Sequence, residues 1–162
     1  AAYIRGIQSN GTSACVKHFA CNNQEERRMV SDSVLDERTL REIYLTVFEI
    51  AVKEGGVTAV MSSYNKINGT FADENPYLIR KILRGEWGFK GVVISDWAGT
   101  NDKVASVKAG SDLEMPACRY GADDIVNAVV SRSVSCFRSV DTNASRRAIS
   151  RSFTIAVSTH KG

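Results

Sequence analysis

The sequence predicts an α/β fold in which parallel strands alternate with helices. Three observations carry this expectation. Short apolar runs recur along the chain, each is followed by a segment of helical period, and the alternation repeats four times. Strand then helix, repeated, means parallel strands joined by right-handed crossovers.

The elements follow in order. Ser13–Ala20 (SACVKHFA) is the first strand. Asp36–Glu54 is the first long helix, with Leu40, Ile43, Tyr44, Val47, Ile50 and Ala51 on one stripe, Asp36 as its cap and Gly55-Gly56 as its stop. Val57–Ser62 (VTAVMS) is the second strand, and the next helix opens on Asn75-Pro76 and presents Leu78, Ile79, Ile82 and Leu83. Gly91–Ser95 is the third strand, followed by a short helix over Asn101–Ala109 that Gly110 stops. Ser111–Met115 (SDLEM) is a weaker fourth strand, and Ala122–Val130 is the last helix. Four units fit a small open sheet or half of an eight-stranded TIM-like barrel; a whole barrel needs about 250 residues, more than the 162 present.

Composition sets outer limits. Hydrophobic content of 43% with 24% charged residues is ordinary for a globular domain. No apolar run approaches the roughly 18 residues of a bilayer span, and the N-terminus lacks a charged-then-apolar signal pattern. The opening AAYIRGIQSNG has no initiator Met, which favours a mature form or an excerpt of something longer. Periplasmic, secreted and cytoplasmic locations all remain open. Residues 131–162 hold six basic residues against Asp141, a net +5 that leaves −2 over residues 1–130. A solvated helix surface or a frayed terminus explains that better than a nucleic-acid arm, because neither an aromatic ladder nor a Gly-Arg repeat accompanies it.

The four cysteines are Cys15, Cys21, Cys118 and Cys136, and Cys15-x2-His18-x2-Cys21 has metal-ligand residue types. On a strand, however, His18 points away from both thiols, which lie about 20 Å apart at 3.3 Å per residue. They can neither share a zinc nor form a disulfide with each other, so free, mostly buried thiols are expected. Sequons at Asn10, Asn68 and Asn143 are weak signals without a secretory context.

In either architecture chemistry gathers at the C-terminal ends of the strands. Those ends carry Lys17 and His18, then Ser63, Tyr64 and Asn65, then Asp96 and Trp97, then Glu114. Asp96 can be a nucleophile, a general base, a metal ligand or a helix cap. An aromatic face beside carboxylates and hydrogen-bond donors suits a sugar ring, which needs stacking for its C–H faces and partners for its hydroxyls. Lys17 and His18 adjoin on one strand, so they share a face only if a bulge or the strand's end relaxes the alternation. There is no Gly-rich phosphate loop, Cys-x2-Cys pair or Gly-x-Ser-x-Gly elbow.

The stretches KHFACNNQEERR (17–28), VMSSYNKING (60–69), ILRGEWGFKGVVISDW (82–97) and KAGSDLEMP (108–116) strongly resemble the second half of the N-terminal barrel domain of glycoside hydrolase family 3, in its β-glucosidase branch. The likeness covers residues 5–116 well and continues more loosely to RRAISRSF (146–153). It implies a partial barrel domain over residues 1–153, with 154–162 a poorly ordered tail. It also implies roles: Asp96 matches the catalytic nucleophile, which forms a covalent glycosyl-enzyme intermediate. Lys17 and His18 match residues that hydrogen-bond the terminal sugar, Tyr64 a tyrosine beside the nucleophile, Met61 a residue near the pocket, and Trp97 an aromatic wall.

Retention of configuration needs a second carboxyl about 5–5.5 Å from the first. In this chain Glu114 is the one acid at another strand end; Glu25, Glu26 and Asp112 are less well placed. In the β-glucosidase branch the acid/base comes from a following domain, and the histidine loop of the N-acetylglucosaminidase branch is replaced here by ACNNQEE. Around VVSRSVSCF (129–137), Ser131-Arg132-Ser133 stand where the family pattern has a glycine turn.

The resemblance implies a retaining exo-acting β-glucosidase fragment that hydrolyses terminal β-D-glucosyl residues. It requires no metal or organic cofactor, and its partners are β-glucosides or β-linked gluco-oligosaccharides rather than nucleic acid or membrane. A half barrel exposes raw sheet edges, so self-association is expected. The alternative is a non-catalytic carbohydrate-binding or assembly module that keeps the sugar contacts and lacks the acid/base.

Overall fold

The computed structural model describes residues 1–116, 121–131, 133 and 134. In chain order the elements are α1 (Ala2–Ser9), β1 (Cys15–Phe19), β2 (Asp32–Ser33), α2 (Glu37–Thr39), a π-helix (Leu40–Leu45), α3 (Thr46–Lys53), β3 (Ala59–Ser62), β4 (Lys66–Ile67), β5 (Thr70–Phe71), a 3-10 turn (Ala72–Glu74), a second π-helix (Tyr77–Glu86), β6 (Val92–Ile94), α4 (Lys103–Ala109) and α5 (Ala122–Val130). Cys118, Cys136, Asn143 and the tail 154–162 lie outside the described residues.

The main sheet is parallel, in the order β1-β3-β6, and Leu113 adds a single parallel bridge to Ile94. Its register explains both faces. Cys15, Ala59 and Val92 form one row across the sheet, and Val16, Val60 and Val93 form the next. Neighbouring rows face opposite sides. Cys15, Ala59, Met61, Val92 and Ile94 accordingly make a small inner cluster, joined by Met115. Val60 and Val93 belong to the larger core between sheet and helices, with Phe19, Leu45, Phe48, Leu78, Ile79, Ile82, Leu83 and Trp87. Phe19 meets Phe48 and Trp87 edge-on, with ring centroids 5.1 and 6.0 Å apart. Each fully buried side chain of this size contributes about 1.5–3 kcal/mol.

The helices confirm most expectations and correct one. Asp36 caps α2 by accepting the Thr39 N–H, and Gly110 ends α4 in the left-handed region at φ 101°. Asn75 Oδ1 accepts from the N–H groups of Tyr77 and Leu78, and Leu78, Ile79, Ile82 and Leu83 are the buried face, as the spacing predicts. The first long helical run departs from its predicted stripe. Leu40, Leu45, Phe48 and Ala51 are buried, whereas Ile43 and Val47 are 65% and 61% exposed and Ile50 is 38% exposed. The cause is the π-helical stretch Leu40–Leu45, whose wider turn rotates the following residues away from a 3.6-residue stripe.

Two further differences bear on the active face. The fourth strand is reduced to the Leu113 bridge. A second sheet, in the order β2-β4-β5, was not expected from the sequence; Asp32 and Ser33 pair in parallel with Lys66 and Ile67, which turn back on Thr70 and Phe71.

Gly91 lets β6 approach β3. A Cβ there would sit 2.1 Å from the Thr58 carbonyl oxygen, the same oxygen that accepts the Val92 N–H at 3.0 Å. Gly91→Ala is therefore expected to destabilise the protein by about 1–3 kcal/mol through overpacking against backbone. Urea unfolding followed by tryptophan fluorescence measures this, and an unchanged midpoint would contradict it.

Candidate active site

Asp96 stands two residues beyond the end of β6 and is 7% exposed. The turn around it is fixed by backbone. Trp97 N–H donates to Asp96 Oδ1 at 2.7 Å and Gly99 N–H to the Asp96 carbonyl at 2.9 Å. Ser95 N–H donates to Leu113 O at 2.9 Å and Ala98 N–H to Met115 O at 2.8 Å, tying the loop to the neighbouring chain segment. The other carboxylate oxygen, Oδ2, lies 3.3 Å from His18 Nε2.

His18 reaches Asp96 because β1 does not run straight to its end. Its pairing with β3 shifts register between Val16 and Phe19, which releases Lys17 and His18 from strict alternation. Ser63 Oγ donates to the Ala20 carbonyl at 2.9 Å and Asn65 Nδ2 to the same oxygen at 3.2 Å. Ser63 and Asn65, polar residues at the end of β3, are thus buried braces for the His18 segment.

Burial lowers the His18 pKa from its ordinary 6.5; the Asp96 charge opposes this, and Lys17 and Arg28 add to the lowering. At neutral pH the imidazole is therefore uncharged, with Nε2 the ring nitrogen turned toward Asp96. Tyr64 donates its hydroxyl to the Trp97 carbonyl at 2.8 Å. Burial first, then the Asp96 charge, raises the pKa of its phenol. It remains a donor at neutral pH.

His18, Tyr64, Asp96 and Trp97 thus come together at one sheet end. Trp97 is 57% exposed, its indole outside the core. Met61 is buried in the inner cluster below. Lys17, half-buried, is near enough for its charge to act on His18. Glu114 instead receives Lys103 Nζ at 2.6 Å. Asp112 bonds Arg84 at 2.5 Å and accepts the Val93 N–H at 2.8 Å, which makes it part of the sheet's frame. Cys15 and Cys21 are free and buried in separate clusters, and burial pushes their thiols up to about 11 and about 12. Such thiols are neither nucleophiles nor ready ligands.

The sequence reading missed Arg28. Its guanidinium lies 4.7 Å from the centre of the Tyr64 ring and pairs with Glu25 at 2.6 Å. The available signal was a cluster of charges, Glu25 to Arg28, directly after Lys17-His18 in a loop that returns to the same strand end.

This arrangement can be compared with known proteins. Residues 1–147 match the model of the glycosyl hydrolase family 3 N-terminal domain. The chain belongs to that family. It is 59% identical over 115 residues to a β-glucosidase of Rhizobium radiobacter, covering 71% of this chain and 14% of that protein. It is 52% identical over 137 residues to thermostable β-glucosidase B of Acetivibrio thermocellus, covering 83% of this chain and 18% of that protein. Among solved structures, β-glucosidase 3B of Thermotoga neapolitana in complex with α-D-glucose aligns with a TM-score of 0.78 at 45% identity, over 83% of this chain and 20% of that one. The family 3 β-glucosidase of Bifidobacterium adolescentis aligns with a TM-score of 0.84 at 38% identity, over 91% of this chain and 22% of that one. The sheet and its helices therefore correspond to part of a family 3 barrel domain, and the chain spans less than a quarter of each of these relatives.

The lowered His18 pKa predicts a pH effect. Stability is full above pH 6.5, where both folded and unfolded forms are neutral, and falls as pH drops toward the lower folded value, because the unfolded chain binds the proton first. The difference between the thermal midpoints of wild type and His18→Gln should be constant above pH 6.5, and below it wild type should lose stability relative to the variant. Parallel profiles would refute the assignment of a neutral His18.

Proposed function

We propose that this chain carries the nucleophile and part of the sugar site of a retaining β-glucosidase that removes terminal β-D-glucosyl residues. The observation that supports this most is the Asp96 carboxylate. It is buried at a parallel strand end, one oxygen held by backbone and the other beside neutral His18, with the Trp97 indole open next to it. The names of the relatives point the same way, since they are β-glucosidases and one solved neighbour holds glucose.

In this reading an Asp96 oxygen attacks the anomeric carbon. The C1–O bond to the aglycone breaks, its electron pair leaves with the aglycone oxygen, and a general acid protonates that oxygen. Water then attacks C1 of the glycosyl-aspartate, gives its proton to the same acid/base, and releases glucose with the anomeric configuration restored. Lys17 and His18 hydrogen-bond sugar hydroxyls, Trp97 stacks on a ring face, and Arg28 stiffens Tyr64 while adding a donor at the rim. Glu114 is engaged by Lys103, so the acid/base is expected from a following domain.

The test is covalent trapping with 2,4-dinitrophenyl 2-deoxy-2-fluoro-β-glucoside in the full-length gene product that carries this chain. The activated leaving group departs without protonation, so the label reports the nucleophile alone. The label is expected on the tryptic peptide 91–103, GVVISDWAGTNDK, and Asp96→Asn should abolish it and lower turnover by orders of magnitude. Label on another acid, or undiminished turnover in Asp96→Asn, would overturn the proposal. Glucose binding without label would favour a carbohydrate-binding module instead.

A further inference from the structure

A second carboxylate in this face is wholly buried and takes no part in the mechanism above. Asp73, in the 3-10 turn Ala72–Glu74, is 0% exposed. Four hydroxyls converge on it: Ser62 at 3.0 Å and Ser111 at 2.9 Å on Oδ1, Thr100 and Ser106 each at 2.7 Å on Oδ2. An ionised carboxylate has about four acceptor sites, and these hydroxyls can fill them all. Among the described residues its hydrogen-bond partners are neutral hydroxyls, with no lysine or arginine. A buried acid satisfied in this way adds little net stability over an apolar residue of the same shape, but it fixes the geometry of every segment bonded to it.

Two of the four bonds lead to Asp96. The first runs through Ser62, at the end of β3. From there the chain passes Ser63, which braces Ala20, to Tyr64, which donates to the Trp97 carbonyl. The second runs through Thr100, next to Gly99, whose N–H holds the Asp96 carbonyl. The adjoining Glu74 extends the grip, its Oε1 accepting the N–H groups of Asn101 at 2.8 Å and Asp102 at 2.7 Å. The other two bonds, from Ser106 and Ser111, lead into α4 and the segment after it.

We propose that Asp73 is a positioning residue for the Asp96 nucleophile, a carboxylate clip that sets the Asp96 loop against the His18 and Tyr64 segments through Ser62 and Thr100. The inference rests on the nucleophile reading above. A shift of the nucleophile by about 1 Å is enough to slow attack by about 10²-fold, whereas sugar binding, spread over Lys17, His18 and the open face of Trp97, loses less. Losing the clip should therefore appear in the chemical step rather than in affinity.

The experiment uses the full-length gene product and the same fluoroglucoside. Intact mass gives the fraction of sites that label, and the dinitrophenolate burst gives the trapping rate per labelling site. Competition by glucose gives affinity separately. Thr100→Val keeps the side chain's shape and removes one hydroxyl; Asp73→Asn replaces one acceptor oxygen with a donor; Ser106→Ala removes a hydroxyl on the far side. Thr100→Val and Asp73→Asn are expected to slow trapping per labelling site by about tenfold or more with glucose affinity changed by less than about threefold. Ser106→Ala should lower the thermal midpoint and leave that rate at the wild-type value.

A wild-type rate per labelling site in Thr100→Val, with only stability or the labelled fraction reduced, would overturn the proposal. Equal slowing in Ser106→Ala would overturn it too, since loss of structure would then account for the effect. If Asp73→Asn fails to fold, Thr100→Val decides alone. Absence of label in wild type would sink the nucleophile reading and this proposal together; label in wild type with unaltered rates in the variants would sink this proposal only.

Discussion

The register of β3 against its two neighbours is the constraint on which the rest of the molecule depends. Because Ala59 aligns with both Cys15 and Val92, and Val60 with both Val16 and Val93, one row of side chains fills the inner face while the next enters the helical core. A slip of one residue would exchange the two sets, bringing core valines to the inner face and Met61 to the outer one. It would also rotate the side chains that leave the strands at their C-terminal ends. The position of Asp96 relative to His18 and Tyr64 is thus a consequence of pairing that begins at Thr58 and Gly91, at the opposite end of the sheet.

At the active face the same sheet sets the electrostatics. His18, beside a carboxylate, would ordinarily be expected to charge, yet its burial and the nearby Lys17 and Arg28 keep it neutral. A neutral imidazole 3.3 Å from the Asp96 carboxylate presents a dipole to it rather than a cation. Tyr64, whose hydroxyl donates to the Trp97 carbonyl, likewise places a dipole rather than a cation beside this loop.

Much of this was legible in the sequence, and the exceptions have specific causes. α5 spans Ala122–Val130 as its period predicts, and the Asn75-Pro76 opening and the four buried residues after it follow from local chemistry. Lys17 and His18 were legible as a pair, but the register shift in β1 that interrupts their strand alternation was not. The exposed Ile43, Val47 and Ile50 were misread because apolar spacing assumes 3.6 residues per turn, which the π-helical stretch does not keep. The β2-β4-β5 sheet left no signal, since two-residue strands have no periodicity to read. Asp73 was invisible for a different reason: an acid between Ala72 and Glu74 looks like a polar turn, and its four hydroxyl partners come from widely separated positions.

The convergence of those four hydroxyls also bears on how the face moves. Residues 62, 100, 106 and 111 belong to segments that would, in an ordinary loop-lined site, breathe separately on the nanosecond to microsecond scale. Joined through one carboxylate, they cannot open one at a time without breaking a bond to a buried polar group. The loops after β3 and β6 and the body of α4 are then expected to open as one unit, with amides that exchange with solvent together. A face built this way gives up the mobility of an independent lid and keeps one arrangement of its loops.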